Sequence, residues 1–335
     1  MLQDHHKYEY EVLPLLIRPS WSGFTLHFSF IIILLIGTLE IENLRAQIMS
    51  DTISVGIDPN GIAYNPINSN IYVTNEQDNT VSVISPTGDL NDTIIVGNGP
   101  NGIVYSPGNN NTYVVNKFDN SVSVIDSSNE VIDSILVGNS PQGVMYNPNN
   151  NNIYVTNSFD NTVSVIGSNN TVTDTIDVGE SPFGVAFSTS NNSTYIANTG
   201  ENTVSVIDSN NTVTDTIDVG ESPFGVAFST SNNNIYVTNN IDDSVSVIDS
   251  TNLVTDTLAV GDGPYGVAYN PSNNNMYVTN SGDNSVSLIT NGNVIEKTQV
   301  IGRVNPEGLA YNPNNNNIYI ANAGDNTVSI LPTTS

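Results

Sequence analysis

From residue 50 to the end of the chain, apolar positions fall in short runs of Val, Ile and Tyr, broken every few residues by Gly, Pro, Asn and Asp. Runs of that length and composition, bounded by turn formers, predict strands, and no stretch keeps the spacing of an amphipathic helix. The pattern returns as a unit. Each unit holds segments resembling "GVAY", "NIYVTN", "NTVSVI" and "VTDTIDVG", four predicted strands in a row. Several are apolar on both faces, as expected of sheets covered on either side by neighbouring sheets instead of water.

The unit is marked by Pro-x-Gly, with prolines at Pro59, Pro100, Pro141, Pro182, Pro223, Pro264 and Pro306; five spacings are 41 residues and the last is 42. A Tyr-centred run follows each mark, at Tyr72, Tyr113, Tyr154, Tyr195, Tyr236, Tyr277 and Tyr319. The 25-residue string "SNNTVTDTIDVGESPFGVAFSTSNN" occurs twice, from Ser168 and from Ser209, the trace of a recent duplication. Seven four-stranded units at this spacing, with both sheet faces covered, predict an all-β fold, a seven-bladed β-propeller over residues 50–335. Small residues in the first strand suit blades that narrow toward the central axis. The seventh unit has its first three strands, Gly308 to Leu331, and then the sequence stops at Ser335. The propeller region, however, opens on "DTISVG" (51–56), a copy of the fourth-strand endings "DTIIVG" (92–97) and "DTIDVG" (174–179). The N-terminal strand is therefore expected to complete the last blade, closing the ring and removing an edge open to aggregation.

"YVTN" stands at 72–75, 154–157, 236–239 and 277–280, with "YVVN" at 113 and "YIAN" at 195 and 319, each followed by text like "DNTVSVI". On these motifs the chain resembles the YVTN-family β-propeller repeat proteins. The resemblance covers residue 50 onward, and it implies the same fold and the settings where the family is common, archaeal surface layers and other exported proteins. Similar propellers include lactonases and lyases.

Composition narrows the chemistry. The chain has no cysteine, and its three histidines, His5, His6 and His27, all precede the propeller. Histidine bases, cysteine nucleophiles and ordinary zinc sites are thereby excluded from the repeats. From residue 50 there are 28 Asp and Glu against Lys117, Lys297 and Arg303, a net charge of 3 minus 28, or -25. Nucleic acid is not an expected partner, because phosphate contacts need Lys and Arg.

Ahead of the repeats, 21 residues between Arg18 and Glu40 carry no charge and contain "FSFIIILLIG". Residues 1–48, with the hydrophobic core at about 24–39, read either as a signal peptide, with cleavage after Ala46, or as a membrane anchor with Trp21 at the interface. Lys7 and Arg18 before the segment, against Arg45 after it, place the propeller outside the cell in both cases.

Specificity is expected where the blades differ. Loops from fourth to first strand and from second to third strand share one rim. There the x of Pro-x-Gly reads Asn60, Asn101, Gln142, Phe183, Phe224, Tyr265 and Glu307, with Phe118 and Phe159 in nearby loops. An exposed aromatic arc beside carboxylates would stack sugars or anchor a protein; the alternative is that these rings pack between blades or plug the mouth. Arg303 is expected to pair with Glu307. A recurring acid, Asp78, Asp119, Asp160, Glu201, Asp242, Asp283 and Asp325, suggests calcium, against the ordinary role of Asp in accepting backbone hydrogen bonds in turns. No other cofactor is expected. Asn-rich turns and six sequons (Asn91, Asn110, Asn169, Asn191, Asn192, Asn210) fall on or beside the opposite rim.

These features together lead to an expected function: a non-catalytic, exported cell-surface module, structural or adhesive, that binds a protein or glycan through one rim. The alternative is a channel-mouth enzyme, lactonase- or lyase-like, using carboxylates or a bound metal.

Overall fold

The computed structural model describes residues 52–300 and 304–333. It is all-β but for one short 3-10 turn, Ala323–Asp325, and consists of seven four-stranded antiparallel sheets. In six of them the strands follow chain order, as in Pro141–Tyr146, Ile153–Asn157, Thr162–Ile166 and Val172–Asp177. The seventh joins the two ends of the fold. Thr52–Ser54 pairs outside Thr327–Pro332, with Ile53 opposite Val328, and supplies the missing fourth strand. Asp51, the first residue of the expected strand, lies outside the described residues, as does the hydrophobic segment at 24–39.

The sheets stack radially. Buried clusters lie between blades: Ile53, Tyr319 and Val328 of the last blade pack against Ile62, Ile71 and Ile84 of the first. Seven glycines show that the circle is complete. An added Cβ at Gly61, Gly102, Gly143, Gly184, Gly225, Gly266 or Gly308 would lie within 2.5 Å of the carbonyl oxygen of the x residue in the next blade, and Gly308 meets Asn60 across the seam. Backbone approach this close excludes any side chain, so the glycine of Pro-x-Gly is required by contact between blades and not only by the taper.

Three letters of the YVTN motif have a hydrogen-bonding task. The tyrosine reaches forward. Tyr72 Oη donates to Asn129 Oδ1 of the following blade at 2.7 Å, and Asn129 Nδ2 donates back to Asp92 Oδ2 at 2.9 Å. The same three-residue latch joins Tyr113, Asn170 and Asp133, then Tyr154, Asn211 and Asp174, then Tyr195, Asn252 and Asp215. Burial pushes the Tyr113, Tyr154, Tyr195 and Tyr236 hydroxyls above their usual pKa. The threonine works at the axis: Thr156 Oγ1 accepts from Gly143 N at 2.8 Å and donates to Phe183 O of the next blade at 2.7 Å. The asparagine is buried in every blade and ties two strands together, as where Asn157 Nδ2 donates to Thr162 Oγ1 and Ser164 Oγ.

Asparagine is abundant because the turns demand left-handed backbone. Positive φ recurs in all four connections of a blade, and among the described non-glycine residues it falls only on Asn, Ser and Asp, as at Asn151, Asn161, Asn170 and Ser181. These short polar side chains tolerate that conformation best among L residues.

Candidate functional site at the channel mouth

The second residue of each first strand points its variation at one end of the central channel. A cavity of about 190 Å³ lies on the axis, walled by valines, isoleucines and Leu309 from the first strands, with Asn60, Asn101, Gln142, Phe183, Phe224 and Tyr265 also among its lining. The mouth has two unlike halves.

Blades four, five and six give the aromatic half. The Phe183 and Phe224 centroids are 4.7 Å apart, and Phe224 and Tyr265 are 5.1 Å apart. The sequence leaves open an exposed arc or rings packed at the mouth; the rings pack on one another and are half-buried, forming one continuous apolar wall. Thr156 and Thr238 fix the backbone carbonyls of Phe183 and Tyr265, so the wall stands on pinned strands.

The other blades give the polar half. Glu307, adjacent in the ring to both Tyr265 and Asn60, has each carboxylate oxygen engaged: Asn60 Nδ2 donates to Oε2 at 2.6 Å and Asn305 Nδ2 donates to Oε1 at 2.7 Å. Thr279 Oγ1 donates to the Glu307 carbonyl at 2.6 Å. Burial raises the Glu307 carboxyl to about 7; the Asn305 hydrogen bond opposes this, Asp58 and Glu76 add to it, and Lys117 reduces it. Desolvation disfavours the charged form of an acid, and nearby carboxylates act in the same direction. Tyr265, whose hydroxyl receives a 3.5 Å contact from Asn60 Nδ2, is also pushed up, chiefly by burial and then by Glu307. Arg303, the expected partner of Glu307, lies outside the described residues. At the far end of the arc Gln142 is 6% exposed; its Nε2 donates to Ser140 Oγ, while Oε1 has no hydrogen-bond partner.

Phe118 and Phe159 are not part of this cavity. They sit on loops at 64% and 80% exposure, Phe118 under the Lys117 ammonium at 5.3 Å, and Lys117 bridges to Glu76 at 3.6 Å. The recurring acids hold the rim loops: Asp78 accepts from Ile57 N, Asp119 from Asn98 N, Asp160 from Asn139 N and Asp325 from Val304 N. Among the described residues no three His, Cys, Asp or Glu side chains stand together as a metal site.

The sequence names Glu307 through its position in Pro-x-Gly but misses its nearest partners. Asn60 is 247 residues away and appears interchangeable with Asn101 until the ring is closed. The signal was present nonetheless, because closure makes the first and last blades neighbours.

No protein-family model matches the chain, and no curated protein sequence does. Solved structures do. A streptogramin B lyase superposes with a TM-score of 0.74 at 14% identity, covering 84% of this chain and 96% of that one. Virginiamycin B lyase from Staphylococcus aureus gives 0.76 at 14% identity over 85% and 99%. Hydrazine synthase of Kuenenia stuttgartiensis gives 0.74 at 19% over 84% and 97%. At these identities the likeness is one of fold. The expectation of a non-catalytic module is nevertheless corrected, since propellers of this shape include lyases and the synthase. It rested on counting His and Cys, and overlooked how burial brings an ordinary glutamate to a titration range useful near neutrality.

Proposed function

We propose that the protein is an enzyme of lyase type acting at the channel mouth, with Glu307 as its proton-transfer group. The observation that carries this is the half-buried Glu307 carboxylate, fixed at both oxygens by Asn60 and Asn305, with Asn60 itself lining the axial cavity opposite the aromatic wall. A general acid or base works best when its pKa lies near the working pH, and Glu307 meets that condition. In an elimination the Glu307 carboxylate takes a proton from the carbon next to an activating carbonyl. The C–H electron pair becomes the new double bond, and the leaving group departs with the pair of the broken bond. Phe183, Phe224 and Tyr265 hold the apolar body of the substrate. The lyases among the structural neighbours support the reading; one of them is a catalytically inactive histidine-to-alanine variant crystallised with quinupristin, so histidine matters there. With its three histidines at positions 5, 6 and 27, ahead of the repeats, this chain would run such chemistry on a carboxylate.

The test is a panel of lactones and other esters able to eliminate, followed by the ultraviolet absorbance of the conjugated product. Turnover by the wild type and its loss in Glu307→Gln are expected. Turnover that survives Glu307→Gln undiminished, or none across the panel, refutes the assignment.

We also propose membership of the YVTN repeat family, on the seven motif copies, with residues 1–48 as an export segment and 50–335 as the propeller. The propeller would then work outside the cell or at its surface, where the exposed Phe118 and Phe159 suit contact with a protein or glycan. Fractionation of cells expressing the full chain, with N-terminal sequencing of the product, tests the address.

A further inference from the structure

We propose that the channel mouth takes ligands bearing an organic ammonium group on an aromatic or otherwise apolar body. This inference rests on the site proposed above but not on the reaction assigned to it. The first observation is the division of the mouth: a wall of three mutually packed rings faces an arc running from Glu307 through Asn60 and Asn101 to Gln142. Such a site selects a ligand with one apolar and one polar end. The second is the polarity of that arc. Asn60, Asn101 and Gln142 line the cavity next to the rings, and Asn60 holds the Glu307 carboxylate through its Nδ2. The third is charge. Asp58, Glu76 and Glu307 surround this end of the arc, and the cation that opposes them, Lys117, is already bridged to Glu76. Glu180, Glu221 and Asp262 stand exposed on the connections leading into the three aromatic blades. A mouth edged by carboxylates concentrates cations and repels anions.

An ammonium group answers all three observations. It offers several N–H donors to an arc of amide side chains and a carboxylate, and it is attracted to the faces of aromatic rings. A carboxylate or phosphate ligand would meet like charge instead. The rings are too closely packed to enclose a cation between them, so they act as a wall against which the ligand body lies, with its charged end turned toward the arc.

The experiment is calorimetric titration of the full chain with three probes of nearly equal shape: phenethylammonium, phenethyl alcohol and hydrocinnamate. It is run above neutrality at constant ionic strength. Loss of a charge-assisted hydrogen bond is expected to make the alcohol about ten- to a hundred-fold weaker than the ammonium, with no binding of the carboxylate. Glu307→Gln, close in shape to the native side chain, is expected to erase the preference for ammonium over alcohol, and Phe224→Ala to weaken both. Equal affinity for ammonium and alcohol, tighter binding of the carboxylate, no binding of any probe, or a preference unchanged in Glu307→Gln overturns the proposal. Absence of turnover alongside intact ammonium selectivity would count against the lyase reaction alone, whereas elimination of neutral substrates with no ammonium binding would count against this ligand class alone.

Discussion

The seam between the chain ends gives the sharpest quantitative prediction. Ile53 is 9% exposed, packs with Tyr319, Ala321 and Val328, and is the buried side chain of a strand only three residues long. Ile217 holds the equivalent place in an interior blade, at 7% exposure against Tyr195, Ala197 and Val204. Truncating either to alanine removes the same methylenes and costs about 2–4 kcal/mol. The consequences differ, because the strand bearing Ile217 is joined to its sheet neighbour by a hairpin turn, whereas Thr52–Ser54 is held on Thr327–Pro332 by pairing alone, with no turn between the two. In Ile53→Ala the seam strand should therefore detach without global unfolding. At about 1.4 kcal/mol per decade, opening becomes about 30- to 700-fold more frequent. Hydrogen exchange reads this directly: the amide of Val328, the one of its strand that faces Ile53 across the seam, should exchange faster by that factor in Ile53→Ala. In Ile217→Ala the equivalent amide of Val204 should change only with global stability. Equal behaviour of the two variants, or unchanged exchange at Val328, would show that the seam is no weaker than the rest of the ring. Deleting residues 50–56 carries the same argument further and should give an opened, aggregating ring with a lowered melting temperature.

Other expectations follow from the contacts. Gly184→Ala drives a methyl group into the Phe224 carbonyl and should destabilise by about 3 kcal/mol or more, measured by urea unfolding; a change within 0.5 kcal/mol, the roughly neutral range, refutes the close-approach argument. Tyr154→Phe should cost about 1 kcal/mol through the lost Asn211 bond and leave the ring closed, checked by thermal melting and scattering. Glu307 has a folded-state pKa raised from 4.5 to about 7, so the folded protein holds its proton more tightly than the unfolded chain does. The stability this gives is complete below the unfolded value and is lost as pH rises through about 7, with about 3 kcal/mol as its full extent. Glu307→Gln should therefore gain on the wild type as pH rises across that window, and parallel melting curves at every pH would contradict the shift.

The ring and its seam were legible because repetition constrains a fold tightly: seven identical marks and one orphaned fourth strand admit few arrangements. Turn chemistry was legible too, since Asn, Asp and Gly cluster where left-handed backbone is needed. The Pro-x-Gly glycine was read as small for the taper, and its real neighbour, a carbonyl of the next blade, cannot be seen within a single repeat. The x position of Pro-x-Gly puts Phe183, Phe224 and Tyr265 in three successive blades, but their mutual stacking depends on blade separation at the axis. Above all, the character of Glu307 comes from burial and from Asn60 at the other end of the chain, and neither is a local property of "NPEG".

The hydrogen bond from Asn60 to Glu307 joins the first blade to the last. Tyrosine latches form between consecutive blades, and so can assemble in order as a nascent polypeptide leaves the ribosome. The pairing at the mouth has to wait for the final repeat to be synthesised and docked. A chain released before that repeat would carry the aromatic wall and most of the cavity yet lack Glu307, making synthesis of the last blade a precondition for the chemistry proposed above.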